Sequence, residues 1–149
     1  NLARKPQGNE RAQSNAIYQG ECDVGLRNTY YYGKMKFNNK NPEQKKWADS
    51  LRLVFLDQTG RGQHVNISAA AVLKASKKQP AAVEFIEWLT SPEAQLLYTE
   101  VNYEYPVNPE VNPSKEVASW GKFKIDEVSL TEIAKNTPLA QMIINETGW

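Results

Sequence analysis

The sequence is poor in the residues that most often carry chemistry. It has one cysteine, Cys22, and one histidine, His64, in 149 residues. A single cysteine excludes an intrachain disulfide and a thiolate zinc cluster; Cys22 reads as a small packed residue, the usual fate of a free thiol. A single histidine excludes His-rich metal sites and a second catalytic histidine. No apolar run approaches the roughly 18 residues that a membrane-spanning helix needs, and no signal peptide is visible. The chain begins at Asn1 rather than at methionine, which fits a processed or truncated product. Charge of one sign is lacking too: 18 basic residues face 17 acidic ones, for a net charge of +1. The basic residues are scattered, with Lys45-Lys46 and Lys77-Lys78 reading as solvated surface, so nothing argues for a nucleic-acid partner or an anionic membrane. P-loop, dinucleotide fingerprint, nucleophile elbow and zinc spacing are all missing, so no motif supports an enzyme.

What is present describes a folded α/β protein. Hydrophobic residues make up 40% and charged residues 23%, ordinary values for a chain able to bury one core. After an irregular opening stretch, Asn9 is a candidate N-cap, Glu10 follows in the first turn and Gly20 is a stop, which predicts a helix over 10–19. Short strands are expected at 22–26, 51–56 and 64–68, the second ended by the turn signal Thr59-Gly60-Arg61-Gly62. The polar stretch 36–49 reads as an exposed connection with about one helical turn. From Pro80 the period turns helical, with Ala82, Phe85, Ile86 and Leu89 on one face. Ser91-Pro92-Glu93 is a strong helix start, and Ala94, Leu97, Tyr98 and Val101 recur at i, i+3, i+4, i+7, predicting the buried face of that helix. Residues 102–114, with three prolines and three asparagines, are expected to wrap a surface. Ser129-Leu130-Thr131-Glu132 is a capping box, and Thr137-Pro138 is expected to start a last helix with Leu139, Met142 and Ile143 inward, closing near Gly148. The alternation of short strands and helices argues an α/β architecture.

The most unusual local feature is Tyr30-Tyr31-Tyr32. One reading is an aromatic packing surface. The other is binding of a hard metal ion. A phenol ionises only near pH 10, so a phenolate at neutral pH needs a strong nearby charge, which a trivalent, oxygen-preferring ion supplies. Adjacent side chains of a strand point to opposite faces, so Tyr30 and Tyr31 can share an ion only if the backbone turns there; Asn28-Thr29 and Gly33 are compatible with a strand-to-helix turn. Asn28 and Asn9, each before a helix start, can hold an anion or simply cap. His64 reads as a structural histidine, since no partner can be placed beside it. Glu84 and Glu87 read as a solvated helix face. Tyr103 and Tyr105 either line a cleft or anchor their loop, and the four tryptophans are too dispersed for a stacking platform.

Several stretches together carry a resemblance: Asn1-Leu-Ala-Arg-Lys-Pro-Gln-Gly-Asn9, Ile17-Tyr-Gln-Gly-Glu-Cys-Asp23, Asn28-Thr-Tyr-Tyr-Tyr-Gly33, His64-Val-Asn-Ile-Ser68, Ser91-Pro-Glu-Ala-Gln95 and Val101-Asn-Tyr-Glu-Tyr-Pro-Val107. In that order they resemble the C-terminal half of the periplasmic ferric-ion-binding proteins, the substrate-binding components of ABC iron importers. The resemblance implies a periplasmic-binding-protein-like two-lobed clamp, of which this chain is a C-terminal part contributing to both lobes, with about 1–60 and 108–149 in the C-lobe and about 61–107 crossing to the N-lobe. It implies Fe(III) as the bound ion, with or without a synergistic anion, and Tyr30 and Tyr31 as its phenolate ligands, with Tyr32 left to packing. Asn28 matches an anion-contacting asparagine and Asn9 matches a second more loosely. The remaining ligands belong to an N-terminal half that is missing here. The implied partners are that half and an ABC permease of the inner membrane, with no catalysis. Two other readings stay open: a binder of the same fold for an anion, polyamine or sugar, and a protective partner of a membrane complex.

Overall fold

The computed structural model describes residues 8–148. The expected irregular opening over 1–7 and the last tryptophan, Trp149, lie outside the described residues. Among the described residues seven α-helices follow one another: α1 (Glu10–Tyr18), α2 (Tyr30–Lys36), α3 (Pro42–Asp49), α4 (Gln79–Leu89), α5 (Pro92–Leu97), α6 (Lys115–Ser119) and α7 (Leu130–Thr147), with a π-helical turn at Tyr98–Asn102 after α5. α1, α2 and α3 pack on one another, and α2 also meets the π-helical turn. The small core they share includes Ser14, Ala16, Met35 and Ala48, with Val117 of α6 and Thr99 of the π-helical turn also fully enclosed.

Helix starts follow the local chemistry. Asn9 caps α1, its Oδ1 accepting from the amides of Arg11 at 3.0 Å and Ala12 at 3.2 Å, and Gly20, at φ +75°, supplies the left-handed stop. Ser91 caps α5, with Pro92 in its first turn, and Ser129 caps α7 by accepting from Glu132 N at 3.2 Å.

Four expectations change. The expected strands at 22–26, 51–56 and 64–68 are neither helical nor paired in a ladder among the described residues; the one bridge there is parallel, between Gln63 and Ile125. Strand propensity is a local property, whereas a ladder needs a neighbouring strand, and residues 51–56 have none there. Their exposure still alternates, yet Val54 on the outer side is 74% exposed, so both faces are apolar, as in strands made to be covered on both sides. The stretch 36–49 holds two helical turns rather than one, because Pro42 and Glu43 start α3 and the Glu43–Lys46 ion pair bridges its first turns.

On the segment after Ser91, the apolar stripe is enclosed at Ala94 and open at Leu97 and Val101. Leu97 and Val101 are 50% and 69% exposed, while Ala94, Gln95 and Thr99 are enclosed. Gln95 earns its place by hydrogen bonding: its Oε1 accepts from Val107 N at 2.8 Å and its Nε2 donates to Leu89 O at 2.7 Å. The Thr99 hydroxyl likewise accepts from Ser114 N at 2.8 Å. These two side chains satisfy the backbone of the proline-rich segment 103–114, which does wrap over this helix. Finally, α7 runs through Pro138 instead of starting there, and Leu139, Met142 and Ile143 are exposed rather than inward. Thr137 Oγ1 donates to Ile133 O at 3.0 Å and Asn136 Nδ2 to Glu132 O at 3.0 Å, bonds that hold the turn in which the proline ring would otherwise break the helix.

Candidate metal centre at the start of helix α2

The chain enters a helix immediately before the tyrosine run. Thr29 already has helical angles, and Tyr30 is the first residue of α2. Tyr31 N donates to Asn28 O at 3.3 Å and Tyr32 N to Thr29 O at 2.9 Å. Consecutive residues in a helix are about 100° apart around the axis, rather than opposed as in a strand. The Tyr30 and Tyr31 rings accordingly lie together, with centroids 4.4 Å apart and planes tilted by 31°. This is the backbone turn that a shared ligand role requires.

Tyr32 points elsewhere. It meets Trp120 edge-on at 5.9 Å, while Trp120 Nε1 donates to Glu116 Oε1 at 3.0 Å and Lys36 pairs with the same carboxylate at 2.8 Å. Tyr32 is therefore packing, fixed between α2 and α6.

The surroundings of Tyr30 disfavour its ionised form. The hydrogen bond that Tyr30 shares with Tyr31, together with partial burial and the negative charges of Glu10 and Glu104, pushes the Tyr30 phenol up to about 12. Two cations lie against the rings: Arg11 sits 5.1 Å from the Tyr31 centroid and Lys34 Nζ 4.9 Å from that of Tyr30. The Arg11 Nε is buried with no hydrogen-bond partner.

Asn28 is brought directly to the pair. Its amide nitrogen Nδ2 donates to Glu10 Oε1 at 2.7 Å, its main-chain N donates to Glu10 Oε2 at 3.1 Å, and its Oδ1 accepts from Asn66 Nδ2 at 3.3 Å. Asn9 is joined to this arrangement through its neighbour Glu10 while its own oxygen caps α1. Glu10 and Arg11 are the residues that sequence reasoning missed. Their signal, a charged pair in the first turn of α1, is common to many helix starts and does not say where the turn points.

The other candidates lie elsewhere. His64 lines an open concavity of about 350 Å³ against α7 with Arg61, Asp126, Ile133 and Thr137. Tyr103 stacks on Phe37 at 5.5 Å, and Tyr105 meets Phe123 and Trp120 edge-on, so both anchor their loop. Among the described residues no group of three or more His, Cys, Asp or Glu could hold a metal ion.

A profile of the bacterial extracellular solute-binding proteins matches residues 8–125. The chain belongs to that family. Iron uptake protein A1 of Synechocystis is 44% identical over 149 residues, all of this chain and 41% of that protein. The ferric binding protein of Campylobacter jejuni superposes with a TM-score of 0.94 at 41% identity, over 99% of this chain and 46% of that one. A Trichodesmium protein solved in complex with iron and citrate gives 0.91 at 39% identity, over 100% of this chain and 47% of that one. The solute-binding chain therefore has the fold of the periplasmic ferric-binding proteins, and the resemblance to them holds along its length. It spans less than half of the length of each of these relatives. No helix among the described residues is long and apolar enough to cross a membrane.

Proposed function

We propose that this solute-binding chain is part of a periplasmic Fe(III)-binding protein in which Tyr30 and Tyr31 are phenolate ligands and which hands its ion to an ABC permease without catalysis. The observation that carries this is the ring pair at the first turn of α2, 4.4 Å between centroids. Iron and its transport are named in the relatives that match this chain end to end, and one of them was solved with iron and citrate.

The chemistry follows from the phenols. With Tyr30 pushed up to about 12 by its hydrogen bond to Tyr31, that phenol presents no anionic site to monovalent or soft cations at neutral pH. A trivalent ion displaces both protons, because its charge stabilises the phenolates far more than solvent does. Two phenolates then neutralise two of the three charges, and their hardness favours Fe(III) over softer metals. The second N–H of Asn28 Nδ2 and the side chain of Asn9 would hold a synergistic anion against the ion. The remaining ligands come from the part of the relatives' length that this chain does not span. In that arrangement residues of about 1–60 and 108–149 form one lobe and about 61–107 cross to the other.

The test is spectroscopic. Ferric-loaded protein should show a visible phenolate-to-iron band and bound iron by metal analysis. Tyr30→Phe with Tyr31→Phe, in the full chain, should abolish the band. A band that survives both changes refutes the ligand assignment, and purified protein that takes up no iron refutes the cargo.

A further inference from the structure

The Tyr30–Tyr31 pair sits at the very end of its helix, where backbone is least constrained, so something outside α2 must fix it. We propose that Glu10 is the positioning residue of this centre: its carboxylate, reaching from the first turn of α1, holds Asn28 in place and thereby sets the geometry of the two phenols. The inference rests on the phenolate reading above and deepens it.

The argument is a closed set of contacts. Both Glu10 oxygens are committed to the same residue, Oε2 to the main-chain N of Asn28 at 3.1 Å and Oε1 to its Nδ2 at 2.7 Å. Such a two-point grip fixes backbone and side chain together, which a single bond could not, and bonds to an ionised acceptor are about twice as strong as neutral ones. Asn66 fixes the other end of the same side chain by donating to Oδ1 at 3.3 Å. From the gripped residue the constraint passes one step, through the Asn28 carbonyl that accepts from Tyr31 N at 3.3 Å. Arg11, next in sequence to Glu10, lies 5.1 Å from the Tyr31 ring centroid, so the first turn of α1 meets the pair directly through Arg11 and indirectly, by way of Asn28, through Glu10. The Glu10 grip also orients the Asn28 amide with its nitrogen end inward to α1, which decides which atoms of Asn28 an anion can reach. Glu10 contacts Asn28 and is committed there with both oxygens; it is therefore not a spare carboxylate waiting for the ion.

The test uses the full chain, with Fe(III) supplied as ferric citrate and withdrawn by a competing chelator. Glu10→Ala should loosen iron about 10- to 100-fold, the usual cost of removing a group that orients a metal ligand, and should shift or broaden the phenolate-to-iron band. Glu10→Gln, which keeps one acceptor oxygen and loses the other, should fall between the parent and Glu10→Ala. Where Glu10→Ala yields no folded protein, Glu10→Gln decides alone, since it conserves volume. Iron affinity within twofold of the parent together with an unchanged band in Glu10→Gln and in any folded Glu10→Ala overturns the proposal. Tyr30→Phe and Tyr31→Phe run in parallel separate the two levels. If they lose the band while the Glu10 variants keep it, only the Glu10 role falls; if they keep it, the phenolate reading falls and the Glu10 role with it.

Discussion

Gly33 lies inside α2, three residues after Tyr30, where glycine costs a helix about 1 kcal/mol relative to alanine. Its presence there has a direct reason. A Cβ at position 33 would sit 2.4 Å from Tyr103 Cγ and 2.8 Å from both Tyr103 Cβ and Cδ1. The ring carbons could swing away by rotating χ1, but the Cβ of Tyr103 moves only with the backbone. That backbone is already committed: Tyr103 has φ +59° and terminates the π-helical turn, and its ring is stacked on Phe37 at 5.5 Å. Overpacking against a carbon that moves only with the backbone falls in the upper part of the usual range, about 2–3 kcal/mol, against a gain of about 1 kcal/mol in helix propensity. Gly33→Ala is therefore expected to destabilise by about 1–2 kcal/mol, which for a chain of this size lowers the melting temperature by about 2–8 °C. Calorimetry or denaturant unfolding checks it. The decisive control is the same change in a Tyr103→Gly background, where the obstructing carbons are gone and only the propensity term remains, so Gly33→Ala should become neutral or stabilising there. Equal destabilisation in both backgrounds, or a single variant as stable as the parent, would refute the contact as the reason for the glycine.

On the proposed phenolate reading, acid should weaken iron binding steeply, because two phenols would each lose a proton to become ligands; release of two protons makes the dependence about a hundredfold per pH unit, measurable by chelator competition between mildly acidic and neutral pH. In the iron-free protein, Tyr30, Tyr103 and Tyr105 should ionise after the ordinary tyrosines, since the Tyr31 hydrogen bond raises the first, to about 12, and burial raises the other two, Tyr105 also to about 12. Because these folded-state values lie above the unfolded value near 10, the stability they carry is present below pH 10 and is lost as pH rises towards 12; near-ultraviolet phenolate absorbance and unfolding midpoints should track each other over that window. Gln95→Leu should cost about 1–3 kcal/mol despite adding an apolar side chain to an enclosed position, since it strands Val107 N and Leu89 O without partners; a more stable variant in urea unfolding would show that water replaces both bonds.

What could be read from the residues divides along the range of the forces involved. Helix starts at Asn9, Ser91 and Ser129 are decided by contacts three residues away, so capping chemistry placed them correctly. The buried faces of α5 and α7 are decided by what lies against them, and there periodicity failed. Gln95 is enclosed because a loop twelve residues later needs an acceptor, which no hydrophobic pattern encodes. Leu139, Met142 and Ile143 look like a core stripe and face outward. The three strand-like runs have the right residues for a sheet and lack strands to pair with among the described residues, so propensity alone overstated them.

The centre itself shows the same division at finer grain. Tyr30 and Tyr31 were conspicuous as an aromatic run, but adjacency in sequence is neutral between a packing edge and a ligand pair until the backbone geometry is known. That geometry is set from three sides. Glu10 holds Asn28 at the entrance to α2 from α1, Tyr103 presses on the bare backbone of Gly33 from the π-helical turn, and Glu116 ties Lys36 at the far end from α6. The partners lie 18, 70 and 80 positions from the residues they hold. A helix of seven residues is too short to persist by its own hydrogen bonds, so α2 exists with its tyrosines together only because these distant side chains agree on where it must lie. The precision of the proposed centre thus resides less in the tyrosine motif than in the residues that share no motif with it.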